Sequence, residues 1–114
     1  MTKSKKGQSY RHAPAFILLF LARENLYGAA LLNKMHRELP YSRADSAVIY
    51  RSLRALVKEN AVTAYWETDV AGPARKWYQI TDKGLVLLAE FRKDIEMRKR
   101  NFDFFLKTYD KTIK

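Results

Sequence analysis

The chain has no cysteine, so disulfides and thiolate metal sites are excluded and a reducing compartment is mildly favoured. It also has no long hydrophobic run: the longest, Ala13 to Ala22, is about half a membrane span. Behind Lys3, Lys5 and Lys6 that run imitates the core of a signal peptide. Arg23, Glu24 and Asn25 follow it at once, however, with no small-residue cleavage site. The expectation is a cytoplasmic protein with an unprocessed start and no membrane partner. Glycine is scarce, four residues in all, and none belongs to a phosphate-binding loop. His12 and His36 stand at no metal-ligand spacing and near no carboxylate pair, and lone serines such as Ser46 and Ser52 need no catalytic reading. No enzyme, no metal and no cofactor is expected.

Negative charge is the other shortage. Twelve acidic residues face 22 basic ones, a net charge of +10. Such an excess attracts polyanions, nucleic acid being the usual one, although a generic solubility surplus would look the same from charge alone. What is present in quantity is apolar side chain: 47% of 114 residues, enough for one domain with one modest core.

Residues 1–9 are polar, basic and aperiodic, and read as a disordered tail. Pro14 suits the first turn of a helix, and Ala15 to Ala22 is apolar all round, which predicts a helix buried on most sides and stopping near Asn25. Leu26-Tyr27-Gly28 reads as a tight connection. A second helix fits Ala29 to Leu39, with Leu31, Leu32, Met35 and Leu39 on one stripe and Pro40 ending it. For a third helix, Ser42 and Asp45 are rival N-caps, and Ile49, Leu53, Leu56 and Val57 form the inward stripe. Asn60 suits its C-terminus, because asparagine tolerates the left-handed conformation. The period then changes to two: Val62, Ala64 and Trp66 alternate with Thr63, Tyr65 and Glu67. After a turn at 69–73, Arg75 to Ile80 alternates again. Thr81 opens a last helix running to about Tyr109. Three helices, a hairpin and a long helix predict a mainly α fold with a β-hairpin, a winged helix-turn-helix followed by a long C-terminal dimerisation helix. The boundaries are a tail over 1–9, a DNA-binding domain over 10–83 and the dimerisation helix over 84–114.

On the third helix, at 100° per residue, the face opposite the core carries Ala44, Ala47, Arg51, Arg54 and Lys58. Small residues let a helix approach the major groove, and arginine bridges guanine bidentately or forks onto phosphate. Ser46 and Tyr50 lie on the flanks, where hydroxyls reach phosphate, and Lys58 is placed for the backbone. Three cations alone describe a solvated helix face equally well. Their position between a helix-turn-helix and a basic hairpin favours double-stranded DNA. Arg75 and Lys76 of the hairpin would supply a second contact, and Lys3, Lys5, Lys6 and Arg11 a basic arm. On the last helix Leu88, Phe91, Ile95, Phe102, Phe105 and Tyr109 fall on a heptad series interrupted by Arg98, and Phe104 and Leu106 widen the apolar surface. A helix of about 29 residues is roughly 43 Å long, longer than one small core covers. A second copy of the chain is the economical partner; folding back on the same domain is the alternative.

Three segments also resemble the PadR family of bacterial transcriptional regulators, over about Phe16 to Phe91. Leu26-Tyr27-Gly28 is similar to the family's lead-in to its second helix. Ala47 to Leu56, a tyrosine followed by two leucines three apart, is similar to its recognition helix. Gly72 to Gly84, with a basic strand, an aromatic pair and Thr81-x-x-Gly84, is similar to its wing and the start of its last helix. The resemblance implies a homodimeric repressor binding an inverted-repeat operator, with Tyr50, Arg51 and the wing near DNA and the C-terminal helix dimerising. It also implies a small hydrophobic or phenolic ligand near the dimer interface, which Phe91, Ile95, Phe102 and Tyr109 could line. Ala47, Val57 and Asn60 depart from the family's usual glycine, glutamate and glycine. The C-terminal helix has no tryptophan, since Trp66 and Trp77 both lie in the wing strands. A plasmid or phage DNA-binding adaptor, serving partition or architecture, and a protein-interaction module are the rival functions for the same fold.

Overall fold

A computed structural model describes residues 12–41, 45–68 and 71–113. The expected basic tail and arm, and the rival cap Ser42 with Ala44, lie outside them. Helix α1 spans Ala13–Arg23, with Pro14 in its first turn. It buries Ala13, Ala15, Ile17, Leu18, Phe20 and Leu21, but Leu19 and Ala22 are exposed, so the helix is covered on fewer sides than its composition suggests. Strand β1, Leu26–Tyr27, leads into α2, Gly28–Glu38. Helix α2 begins and ends one residue before its expected bounds. Leu39 is extended, at φ −84° and ψ 131°, because the ring of Pro40 disfavours helical geometry in the residue before it. Helix α3, Ser46–Lys58, is followed by strands β2, Val62–Glu67, and β3, Arg75–Ile80, and by helix α4, Asp82–Thr112.

The segment Leu26-Tyr27 is more than the tight connection expected of it. It is a strand, pairing antiparallel with β3 through Leu26↔Tyr78 and Tyr27↔Trp77, so the hairpin is part of a three-stranded sheet in the order β1-β3-β2. Two residues carry no periodicity, and only the open edge of β3 offers their backbone groups partners. Leu26 is buried beneath the sheet, and the Tyr27 and Trp77 rings meet edge to face at 5.0 Å.

The core lies between α1, α2, α3 and the inner face of the sheet. Ile17, Leu18, Leu31, Ile49 and Leu53 have no exposed surface. Between α3 and β2, Asn60 takes φ 65°, the left-handed conformation expected of it. The last helix is tied to that corner. The Thr81 hydroxyl donates to the Asn60 carbonyl at 2.7 Å and accepts from the Gly84 amide at 3.0 Å. Gly84 is buried against the Ala61 carbonyl, where a side chain would collide. Helix α4 then leaves the domain, and the molecule measures 61 × 30 × 26 Å. Leu87, Leu88 and Phe91 pack on the core; beyond Ile95 the apolar stripe is exposed. Among the described residues no helix is long and apolar enough to cross a membrane.

Candidate nucleic-acid interface

Helix α3 is fixed in register by two sets of residues. Asp45 is its N-cap, accepting the Val48 amide at 3.0 Å, and Val48, Ile49, Leu53 and Leu56 anchor its inner face. Once those are buried, the helical period leaves Ser46, Ala47, Tyr50, Arg51, Arg54 and Lys58 exposed. The sheet is fixed by the register Ala64↔Tyr78, Trp66↔Lys76 and Glu67↔Arg75. Tyr78 is buried, which places Lys76 and Trp66 on the core-facing side of the sheet, beyond the point where the core ends.

These two elements enclose an open groove of about 480 Å³ together with the start of α2. Tyr50 and Arg54 line it from α3, Arg75, Lys76 and Trp66 from the wing, and Tyr27 and Gly28 from the floor. Of the residues expected to bind DNA, the groove therefore unites Tyr50, Arg54, Arg75 and Lys76. Ser46, Ala47, Arg51 and Lys58 stay outside it, exposed along the same helix. Among the described residues, none of Arg51, Arg54, Lys58, Arg75 and Lys76 has an ion-pair partner. The wing cations rest on rings instead. The Arg75 guanidinium stands 4.6 Å from the Tyr27 ring centre, and Lys76 Nζ stands 5.8 Å from that of Trp66 and 6.0 Å from that of Tyr78. Burial pushes the Tyr78 phenol above its ordinary pKa, neighbouring Tyr50 adds to the effect and Arg54 opposes it. The floor is held open by a glycine: a Cβ at Gly28 would run into the Tyr50 ring.

Sequence reasoning does not single out Tyr27, Gly28 or Trp66 as lining this groove. Strand alternation is a signal that finds Trp66, which shares a face with Lys76 and Tyr78. Tyr27 is brought in only by the pairing of β1 with β3, which leaves no local signal.

A second, apolar groove of about 520 Å³ runs between α1 and α4, walled by Phe16, Leu19, Leu85, Leu88, Phe91 and Ile95. Leu88 and Phe91 of the heptad series are half-buried here against their own domain. Ile95, Phe102, Phe105 and Tyr109 expose 36%, 65%, 62% and 53% of their surface. The rings of Phe105 and Tyr109 stack at 6.3 Å. Arg98 does not break the stripe as a free charge. Its guanidinium donates to Asp94 at 2.8 Å, one turn back, and His12 at the start of α1 approaches the same carboxylate at 3.5 Å. Among the described residues no group of three or more histidine or carboxylate side chains could hold a metal ion.

Residues 17–90 match the transcriptional regulator PadR-like family. No curated protein sequence matches significantly. Among solved structures, a PadR-like transcriptional regulator from Bacillus cereus is 29% identical, superposes with a TM-score of 0.74 and covers 87% of this chain and 96% of its own. A PadR family regulator from Eggerthella lenta has the same fold at 21% identity, with a TM-score of 0.76 over 94% of this chain and 92% of its own. Bacillus subtilis PadR, solved in complex with operator DNA, is 25% identical over 72% of this chain and 47% of its own, with a TM-score of 0.65.

Proposed function

The chain belongs to the PadR-like family of transcriptional regulators, and from that premise we propose that it is a homodimeric repressor of a palindromic operator in double-stranded DNA. The observation that carries this reading is the groove in which Tyr50 and Arg54 of α3 meet Arg75 and Lys76 of the wing, with these cations unpaired among the described residues. A cationic helix face beside a cationic hairpin matches a duplex, in which a base-lined groove runs alongside phosphates. The operator complex of the Bacillus subtilis protein lends the same reading support from a chain of like fold.

In this reading Arg51 and Arg54 contact base edges, and Ala47 lets the helix come close. Ser46, Tyr50, Lys58, Arg75 and Lys76 hold phosphates. Two copies associate through Leu88, Phe91, Ile95, Phe102, Phe105 and Tyr109, which covers the apolar stripe that one chain leaves in water. Symmetric halves then read an inverted repeat, and occupancy of a promoter-proximal site blocks polymerase. The groove between α1 and α4 has the volume and polarity that suit a small hydrophobic or phenolic inducer. The test is Arg51→Ala with Arg54→Ala, assayed on the DNA upstream of the chain's own gene. Specific affinity falls by about 1–3 kcal/mol for each arginine that reads a base, while binding to unrelated duplex changes less. Unchanged affinity and unchanged sequence preference would overturn the assignment of α3.

A further inference from the structure

We propose that Trp66 is a further DNA-contacting residue, whose indole packs on the sugar-phosphate backbone at the wing side of the groove. This rests on the reading of the groove as a duplex-binding surface and adds an apolar contact that its cations do not explain.

Val62, Ala64 and Trp66 share the sheet face that carries Tyr78, and their burial falls away along β2: Val62 is 1% exposed, Ala64 is half-buried and Trp66 is 60% exposed. The core has run out before position 66, so an indole stands in water on the side of the sheet that faces α3. Trp77 is the internal contrast. It lies on the outer face, donates its indole N–H to Glu67 at 3.0 Å and packs edge-on to Tyr27, all of which hold the sheet together. The Trp66 N–H has no such acceptor among the described residues.

What Trp66 does touch is Lys76, its partner across the strands, whose ammonium lies 5.8 Å from the ring centre. Ring and cation therefore stand side by side on the groove wall, facing Arg54 and Tyr50. A duplex backbone presents the complementary alternation, an anionic phosphate and then an apolar deoxyribose face. Lys76 and Arg75 suit the phosphate, and the indole suits the sugar, with a donor N–H left for a phosphate oxygen. Sequence plays no part in such a contact, so Trp66 contributes affinity and wing placement but no base discrimination.

The experiment titrates a mixed-sequence duplex of about three helical turns into the wild-type protein and into Trp66→Phe, Trp66→Ala and Lys76→Ala, with matched far-ultraviolet spectra as the control for folding. Tryptophan emission of the wild type shifts on binding. Trp66→Phe binds with most of the affinity but without the emission change, because its one remaining indole, Trp77, is half-buried against the sheet and does not line the groove. Trp66→Ala loses affinity about three- to tenfold and keeps the wild-type salt slope, whereas Lys76→Ala lowers that slope by about one. A merely structural role for Trp66 would not produce this split. Wild-type emission that stays constant at saturating duplex overturns the proposal and leaves the DNA-binding reading standing. So does an emission change that persists in Trp66→Phe. Failure of every protein to bind duplex overturns both.

Discussion

A methyl group added at Gly84 would point into the Ala61 carbonyl oxygen and the Ile80 side chain, and the carbonyl cannot give way without moving the corner between α3 and β2. At Gly28 the same group would meet the outer edge of the Tyr50 ring, a partly exposed side chain that can swing aside. Two glycines that look alike in sequence thus constrain different properties. Gly84→Ala is expected to cost about 1–3 kcal/mol of stability through overpacking, read as a lowered melting temperature. Gly28→Ala is expected to melt close to wild type while binding DNA more weakly, because the displaced Tyr50 ring closes the groove from below. Equal loss of stability in the two variants would contradict this division. At this scale helical positions are legible in the sequence. A period of 3.6 residues sorts Ile49 and Leu53 from Arg51 and Arg54 without further information. The place of Tyr27 in the groove is not, because it depends on which strand pairs with which.

At the scale of elements, α4 is held at two places with different chemistry. Its start is capped by Thr81 and clamped to the Asn60 carbonyl. Further along, Asp94 joins it to the beginning of α1, with Arg98 and His12 converging on one carboxylate. The Arg98 hydrogen bond holds the Asp94 carboxyl below the usual carboxylate range; partial burial opposes it, and the His12 hydrogen bond adds to the lowering. The folded-state value is therefore lower than that of the unfolded chain. The resulting stabilisation is complete above about pH 4 and is lost as pH falls through the folded-state value. Asp94→Asn should lower the melting temperature at neutral pH, and the gap to wild type should close on acidification. A gap independent of pH would rule out the ionised carboxylate as its cause. The helices and the β2–β3 hairpin are readable from period, caps and turn residues. Strand β1 is not: at two residues it is shorter than any pattern, and its existence is a property of the open β3 edge.

At the scale of the molecule, the 61 Å length comes from a helix that outruns its own domain. Phe102, Phe105 and Tyr109 are left in water at the far end, while Leu88 and Phe91 at the near end already touch the core. The heptad pattern identifies the stripe but does not say how much of it the chain covers itself, since that depends on where α1 lies. In the proposed homodimer a second copy would complete the coverage and set two α3 helices in symmetric relation, so dimerisation and operator symmetry stand or fall together. The most direct measurement is selection of bound duplexes from a random pool, run in parallel with wild-type protein and with a Phe102→Glu, Phe105→Glu variant. Wild type is expected to enrich an inverted repeat with half-sites about one helical turn or a multiple apart, and the variant, monomeric by sedimentation, to enrich no such repeat. Enrichment of tandem repeats by wild type, as an architectural or partition adaptor would give, or of the same inverted repeat by the monomeric variant, would contradict the symmetric dimer.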